Sequence, residues 1–202
     1  CMGKASDNYF GNGDDKVANK SLVPVSVSGI SNATDIVAGH DYNCALISGG
    51  TVKCWGENTY GQLGDGTTTL RTTPVTVSGL SGVSELSAAY SVTCARLSDG
   101  TVKCWGEGAQ GRLGNGQTSD NSTPVSVNSI SSAVQVSAGN QHTCARLSNG
   151  AVKCWGRGSS GKLGNSSTVD QSSPVSVTGI SSITKISAGD YHTCSHKTGN
   201  TV

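Results

Sequence analysis

Cysteine and histidine are the residues through which this chain of 202 residues would do thiol, metal or nucleophilic chemistry, and the cysteines are placed by rule. Cys44, Cys94, Cys144 and Cys194 recur every 50 residues, and Cys54, Cys104 and Cys154 follow the first three by ten. Each pair offers two sulfurs, with no CxxC spacing and no paired histidines, whereas a structural zinc takes four ligands. Disulfides within the pairs, zinc and free thiols are the three readings, and the spacing favours disulfides. His142 and His192 stand two residues before Cys144 and Cys194, but Tyr42 and Val92 take that place in the other copies. Such exchange marks a packing or hydrogen-bonding position rather than a catalytic one. His40 and His196 are isolated. No Ser-His-Asp order, carboxylate pair or Walker-type loop stands out from the repeat. The runs Leu63-Gly64-Asp65-Gly66-Thr67 and Gly11-Asn12-Gly13-Asp14-Asp15 hint at calcium loops but carry too few ligand positions. The residues argue against an enzyme and call for no cofactor and no metal. Trp55, Trp105 and Trp155, each beside a cysteine, are either a row of aromatic ligand contacts or core packing, and the core reading is favoured.

The elements that must hold these residues follow from the period. The segment 142–156 recurs as 92–106 and 42–56 and begins again at 192; self-similarity at 50 residues indicates a solenoid, propeller or array. Within it, Ser148-Asn149-Gly150, Ser98-Asp99-Gly100 and Ser48-Gly49-Gly50 have the composition of three-residue hairpin loops. That loop length sets Leu147 opposite Ala151 and Cys144 opposite Cys154, close enough for a bridge. A two-residue loop would place Cys144 opposite Lys153 or Trp155, where no bridge forms. One disulfide per repeat is therefore expected: Cys44–Cys54, Cys94–Cys104 and Cys144–Cys154. Two further strands per repeat show apolar–polar alternation: Val25/Val27, Val75/Val77, Val125/Val127 and Val175/Val177, each led by proline at the strand start, then Ile36/Ala38, Leu86/Ala88, Val136/Ala138 and Ile186/Ala188. No segment sustains a helical period. The expectation is an all-β, β-propeller-like array of four 50-residue, four-stranded repeats, disulfide-stapled.

Composition bounds the rest. Hydrophobic residues are 34% of the chain and charged residues 13%, with 28 glycines and one phenylalanine, against roughly 45–50% apolar and 25% charged in an ordinary globular domain. The core is thin and needs its disulfides, which imply an oxidising compartment. The formal net charge of +1 without a basic run gives no footprint for nucleic acid. No apolar run approaches the length of a transmembrane helix.

Head and tail are out of phase with the repeat in a complementary way. Cys1, Gly3, Gly11 and Gly13 match Cys54, Gly56, Gly64 and Gly66 in spacing, with three extra residues before Pro24. At the other end, Val202 corresponds to Val152. The single array of residues 1–202 thus divides into units of about 1–54, 55–104, 105–154 and 155–202, with one hairpin split between the two ends. The chain opens on Cys1 rather than Met, which suggests a processed product or a fragment. Cys1 is also a candidate for the lipid-bearing cysteine of a bacterial lipoprotein, but its phase favours a repeat cysteine. Sequons fall at Asn19, Asn32, Asn121 and Asn165, possible glycosylation positions of a kind that chance supplies in a Ser/Thr-rich chain.

The run AGNQHTCARLSNGAVKCWGRGSSGKLGN with PVSV following resembles the repeat of the regulator of chromosome condensation family. The likeness spans nearly the whole chain, with Ala89 departing from Gly39, Gly139 and Gly189. It implies β-propeller blades of a seven-fold family, and the hairpin cysteines resemble extracellular bacterial members, among which a secreted β-lactamase inhibitor has similar repeats. The nuclear member exchanges nucleotide on a small GTPase and binds chromatin; the absence here of a basic tail and of a wedge-like insertion argues against both. Two functions compete. One is a non-enzymatic extracellular structural protein that self-assembles head to tail, as filament or ring, through strand complementation and an intersubunit disulfide involving Cys1, Cys194 and Val202. The other is a secreted or surface binding module recognising a protein or glycan through its loops. Seven-fold blades turn about 51° each, so four cover roughly 206° and leave the ends apart, which favours self-assembly.

Overall fold

A computed structural model describes residues 3–4, 10–12, 20–21 and 23–199. Strands β1 (Gly3–Lys4) and β2 (Lys20–Ser21) form a two-stranded sheet. Three four-stranded antiparallel meanders follow. The first comprises β3 (Ala33–Ala38), β4 (Tyr42–Ile47), β5 (Thr51–Gly56) and β6 (Arg71–Thr76); the second β7 (Val83–Ala89), β8 (Val92–Leu97), β9 (Val102–Gly106) and β10 (Asn121–Ser126). The third comprises β11 (Ala133–Ala138), β12 (His142–Leu147), β13 (Val152–Gly156) and β14 (Gln171–Ser176), and β15 (Ile183–Ala188) with β16 (Thr193–Lys197) forms a last two-stranded sheet. The helical content described is two single 3-10 turns, Ala109–Gly111 and Ser159–Gly161.

Turn chemistry fixes each central hairpin. Gly50, Gly100 and Gly150 take φ of 80°, 81° and 79°, a left-handed backbone open to glycine without a Cβ penalty. The side-chain oxygens of Asp99 and Asn149 accept the backbone N–H of Thr101 and Ala151 at 2.9 and 3.0 Å. Leu147 N–H donates to the Ala151 carbonyl at 2.8 Å, and the ladder sets Cys44 opposite Cys54, Cys94 opposite Cys104 and Cys144 opposite Cys154. Each pair is a disulfide with Cα atoms 4.1 Å apart, the close spacing of a non-hydrogen-bonded pair.

The proline-led strand differs from expectation. β6, β10 and β14 begin three residues before Pro74, Pro124 and Pro174, and a register shift lies across each proline. These are the outer edge strands, where a residue without an N–H is tolerated at a bulge. The copy at 24–27 is not in a strand.

Neighbouring sheets stack through their first strands: β3 meets β7, β7 meets β11, and β11 meets β15. Ser87 and Ser137 accept, through Oγ, the backbone N–H of Ala138 and Ala188, both at 2.9 Å. Each hairpin tip carbonyl takes an N–H from the next sheet, Gly100 from Ala133 at 2.9 Å and Gly150 from Ile183 at 3.1 Å. The core lies in these seams. Leu86 packs with the Cys44–Cys54 pair, Val136 with Cys94–Cys104, and Ile186 with Cys144–Cys154. Those three aliphatics are 5%, 3% and 2% exposed, while Ile36, their counterpart on the first sheet, is 57% exposed.

One seam detail explains the departure at Ala89. A Cβ on Gly39 would lie 1.9 Å from the ring of Tyr42, and one on Gly139 would lie 2.9 Å from the ring of His142. Where the smaller Val92 replaces the ring, Ala89 is accommodated. In a double-mutant cycle followed by urea denaturation with disulfides intact, Gly39→Ala should cost about 1–3 kcal/mol beside Tyr42. It should cost less than about 0.5 kcal/mol beside Tyr42→Val. Equal costs in both backgrounds would remove the steric account.

Candidate functional site

Two seams are complete and repeat the same geometry. Trp105 and Trp155, both 0% exposed, donate their indole N–H to the carbonyls of Gln62 and Arg112 at 2.9 and 3.0 Å. Thr93 and Thr143 hydroxyls reach the same carbonyls at 2.9 and 3.4 Å. Each indole lies on a glycine of the preceding loop: a Cβ on Gly64 or Gly114 would stand 2.7 Å from the indole nitrogen. Trp55 is buried likewise, against Gly11. The tryptophans are therefore seam core and not an exposed ligand row. The loops that carry the glycines are pinned from within, by buried Asn58 donating to Asp65, Thr67 and Thr69. In the later loops, Asp120 and Asp170 accept the N–H of Gly108 and Gly158 at 2.9 Å. Arg112 is buried beside Glu107 at 2.7 Å.

The last sheet exposes what the others cover. Cys194 is free and exposed, whereas its counterparts Cys44, Cys94 and Cys144 are 0% exposed. Among the described residues β16 is paired only with β15. His192 and Tyr191 are exposed, and the Lys162 ammonium sits over the Tyr191 ring at 5.2 Å from its centre. Between this sheet and the loop before β14 lies a cavity of about 310 Å³, bounded by Leu163, Gly164, Val177, His192 and Thr193. The sequence motif gave no direct sign of that cavity; its signal was the fixed interval that places Trp105 on Gly64 and Trp155 on Gly114.

A second opening, about 470 Å³, lies where the first strands of the four sheets end. Its rim is nearly invariant from repeat to repeat except at His40, Tyr90, Asn140 and Asp190. His40 Nδ1 lies 2.5 Å from an Asp41 carboxylate oxygen, and its ring is 5.2 Å from that of Tyr90.

The remaining candidates are scattered. His196 contacts the Thr184 hydroxyl at 2.7 Å. Asn32 is exposed, while Asn121 and Asn165 are half-buried with side chains engaged by Ser119 and Ser167. Cys1, Asn19 and Val202 lie outside the described residues. Among the described residues no three His, Cys, Asp or Glu side chains converge as a metal site, and no helix is long and apolar enough to cross a membrane.

His142 is a buried titratable group of the last seam, as Lys162 is. Its Nε2 lies 2.7 Å from the Thr193 hydroxyl, as the Tyr42 hydroxyl reaches Thr93 at 2.9 Å in the first seam. Burial first, then the charges of Lys162 and His192, lower its pKa from 6.5 to about 4. A histidine held neutral by the fold gives stability that is full above pH 6.5 and declines as pH falls toward 4. Between pH 6.5 and 5 the loss should be roughly 1.5 kcal/mol. His142→Tyr, copying the first seam, should remove most of that slope when urea midpoints are measured across the same range.

The Regulator of chromosome condensation (RCC1) repeat model matches residues 49–96, 99–146 and 149–195, and a second model of that repeat matches 33–62 and 133–162. No curated protein matches the chain in sequence. Prp20p of Saccharomyces cerevisiae, whose binding properties to Gsp1p and histones have been described, superposes with a TM-score of 0.83 at 20% identity over 96% of this chain and 50% of its own. The chain thus spans about half the length of Prp20p. The computationally designed protein Ika4 superposes with a TM-score of 0.52 at 18% identity over 87% of this chain and 92% of its own. Human WBSCR16 gives 0.60 at 17% identity, over 98% and 68%. With three consecutive repeats matched over most of its length and the same blade architecture, the chain belongs to the RCC1 repeat family.

Proposed function

We propose that this chain is a non-catalytic binding module whose partner is a second copy of itself, joined head to tail at the last sheet. The observation that carries this is the pairing of two half-blades. β15–β16 has the register of the inner half of a blade, Ser187 opposite Cys194 as Ser137 is opposite Cys144. β1–β2 has the register of the outer half, Gly3 opposite Ser21 as Gly56 is opposite Arg71. Each half is a separate sheet, and an open sheet edge is a template for strand addition. The second copy's Ile36 would then cover the new cysteine pair, as Leu86 covers Cys44–Cys54, and its Ala38 N–H would meet Ser187 Oγ as Ala188 meets Ser137. Cys1 of that copy would bridge Cys194, with a disulfide oxidant taking up the two electrons. Four repeat units over residues 1–202, a shared terminal blade, and an extracellular or cell-surface setting complete the reading; the contact is heterologous and yields a ring or a filament according to its rotation.

A second reading rests on the opening at the strand ends. Its variable residues, His40, Tyr90, Asn140 and Asp190, differ in every repeat, as recognition of an asymmetric protein or glycan requires. Under that reading substitutions there abolish ligand capture and leave the oligomeric state unchanged.

Under oxidising conditions the protein should run on non-reducing gels as covalent multiples of 20.4 kDa. Reductant or Cys194→Ser should collapse the ladder, while sedimentation of the Cys194→Ser chain still shows concentration-dependent assembly. A species of single-chain mass at about 100 μM, or an intrachain Cys1–Cys194 bond, would defeat the proposal.

A further inference from the structure

The cavity beside β16 has the shape that two other seams fill with an indole. In those seams the ring lies among Leu63, Gly64 and Val77, or among Leu113, Gly114 and Val127. The third seam repeats the cradle with Leu163, Gly164 and Val177. Leu163 is 0% exposed, as are Leu63 and Leu113. The three atoms nearest a Cβ built on Gly164 all belong to the Val177 side chain, the first at 2.8 Å, where the other two cradles present an indole. The acceptor is also in place: the Lys162 carbonyl takes the Thr193 hydroxyl at 3.2 Å, as Gln62 and Arg112 take Thr93 and Thr143.

We infer that this cavity is a receptor for one large apolar side chain carried on a Cys-x-Gly strand, and that its occupant is Met2 of a second copy. The inference rests on the head-to-tail reading for its occupant, and on the seam geometry for the receptor. Cys1-Met2-Gly3 stands in the repeat frame of Cys54-Trp55-Gly56, Cys104-Trp105-Gly106 and Cys154-Trp155-Gly156. In complete blades Trp105 is opposite Thr93 and Trp155 opposite Thr143, with the glycine that follows opposite Val92 or His142. A strand added to β16 in that register sets Cys1 against Cys194, Met2 against Thr193 and Gly3 against His192. Methionine, unbranched and flexible, adapts to a slot of another side chain's shape, but it brings no N–H for the Lys162 carbonyl. The joint between copies is thereby built weaker than the seams inside one.

The test uses synthetic peptides, with the acceptor held at a dilution where it sediments as a single chain. The probe is the 1–12 segment, CMGKASDNYFGN, carrying glutathione on Cys1, with Met2→Trp and Met2→Ser versions. The acceptor is the Cys1→Ser chain; of the eight cysteines six are in disulfides, so Cys194 is its one free thiol. The Cys194 thiolate attacks the Cys1 sulfur, the Cys1–Cys194 bond forms, and glutathione leaves as its thiolate. Intact mass in a glutathione buffer gives the equilibrium. The parent peptide should exceed Met2→Ser by at least about tenfold, and Met2→Trp should exceed the parent. Val177→Phe, which fills the cavity, should level the three. Equal equilibria for all three peptides, the result of an exposed thiol alone, would overturn the receptor, and so would a ranking that survives Val177→Phe. Ranked peptides with chains that stay single would overturn the head-to-tail reading, and with it Met2 as occupant, while upholding the receptor. A covalent ladder with unranked peptides would do the reverse.

Discussion

The three seams between the sheets that begin at β3, β7, β11 and β15 share one contact: an aliphatic residue of one sheet clustered with the disulfide of the sheet before it. Leu86, Val136 and Ile186 make that contact and are buried by it. The same position on the first sheet, Ile36, is 57% exposed. A chain with 34% hydrophobic residues and one phenylalanine cannot fill a large core. It instead makes several thin ones, each shared between two sheets and clamped on one side by a covalent bond. Stability then accrues by nearest-neighbour terms, as in other repeat arrays. The consequence is that an isolated blade face has no way to bury its own cysteines, and the last sheet displays this directly in the exposure of Cys194.

How much of this was legible depended on whether the information was local. The hairpin register was legible, because loop length alone puts Cys144 opposite Cys154 and the turn residues Asn149 and Gly150 identify the loop. The repeat architecture was legible because the cysteines recur every 50 residues, and the family because the run of residues 138–165 resembles its repeat motif. The boundaries of β6, β10 and β14 were not: proline reads as a strand start, yet Pro74 sits inside an edge strand at a bulge, where its missing N–H is harmless. Nor was the exposure of Ile36 legible, since its alternation is the same as that of Leu86, and only the stacking order distinguishes them. The role of Ala89 needed three dimensions too, because its tolerance comes from the absent ring at Val92. Of the two calcium-like runs, that at 11–15 lies in part outside the described residues; in the other, Asp65 is spent on Asn58, Thr67 and Arg71 within its own loop.

The candidate site was half legible. The split hairpin in the sequence pointed to Cys194, and the tryptophans read as core, but which blade each would pack against was not legible. Their function is relational. Each indole belongs to one blade by sequence and to the preceding blade by contact, lying on a glycine whose Cβ would occupy its place. That displacement by one blade is why the receptor for the next side chain is found at Leu163 and Gly164 rather than near Cys194.

The same displacement bears on how an arc of blades can be extended. A sheet added at β16 must satisfy two demands from opposite sides: a side chain reaching back into the cradle at Gly164, and an aliphatic cover for the new cysteine pair from the blade ahead. A single added strand answers the first demand only. A half-blade followed by a full blade would answer both: β1–β2 has the register of such a half-blade, Gly11 lies against Trp55 of the sheet that follows, and Ile36 of that sheet is exposed. Under the proposed head-to-tail reading, a whole copy would close the seam on both sides, whereas an isolated strand would close it on one. Under that reading the contact would join two different surfaces and so could not pair by a two-fold axis; it would propagate in one direction, and the rotation per blade would decide whether propagation closes.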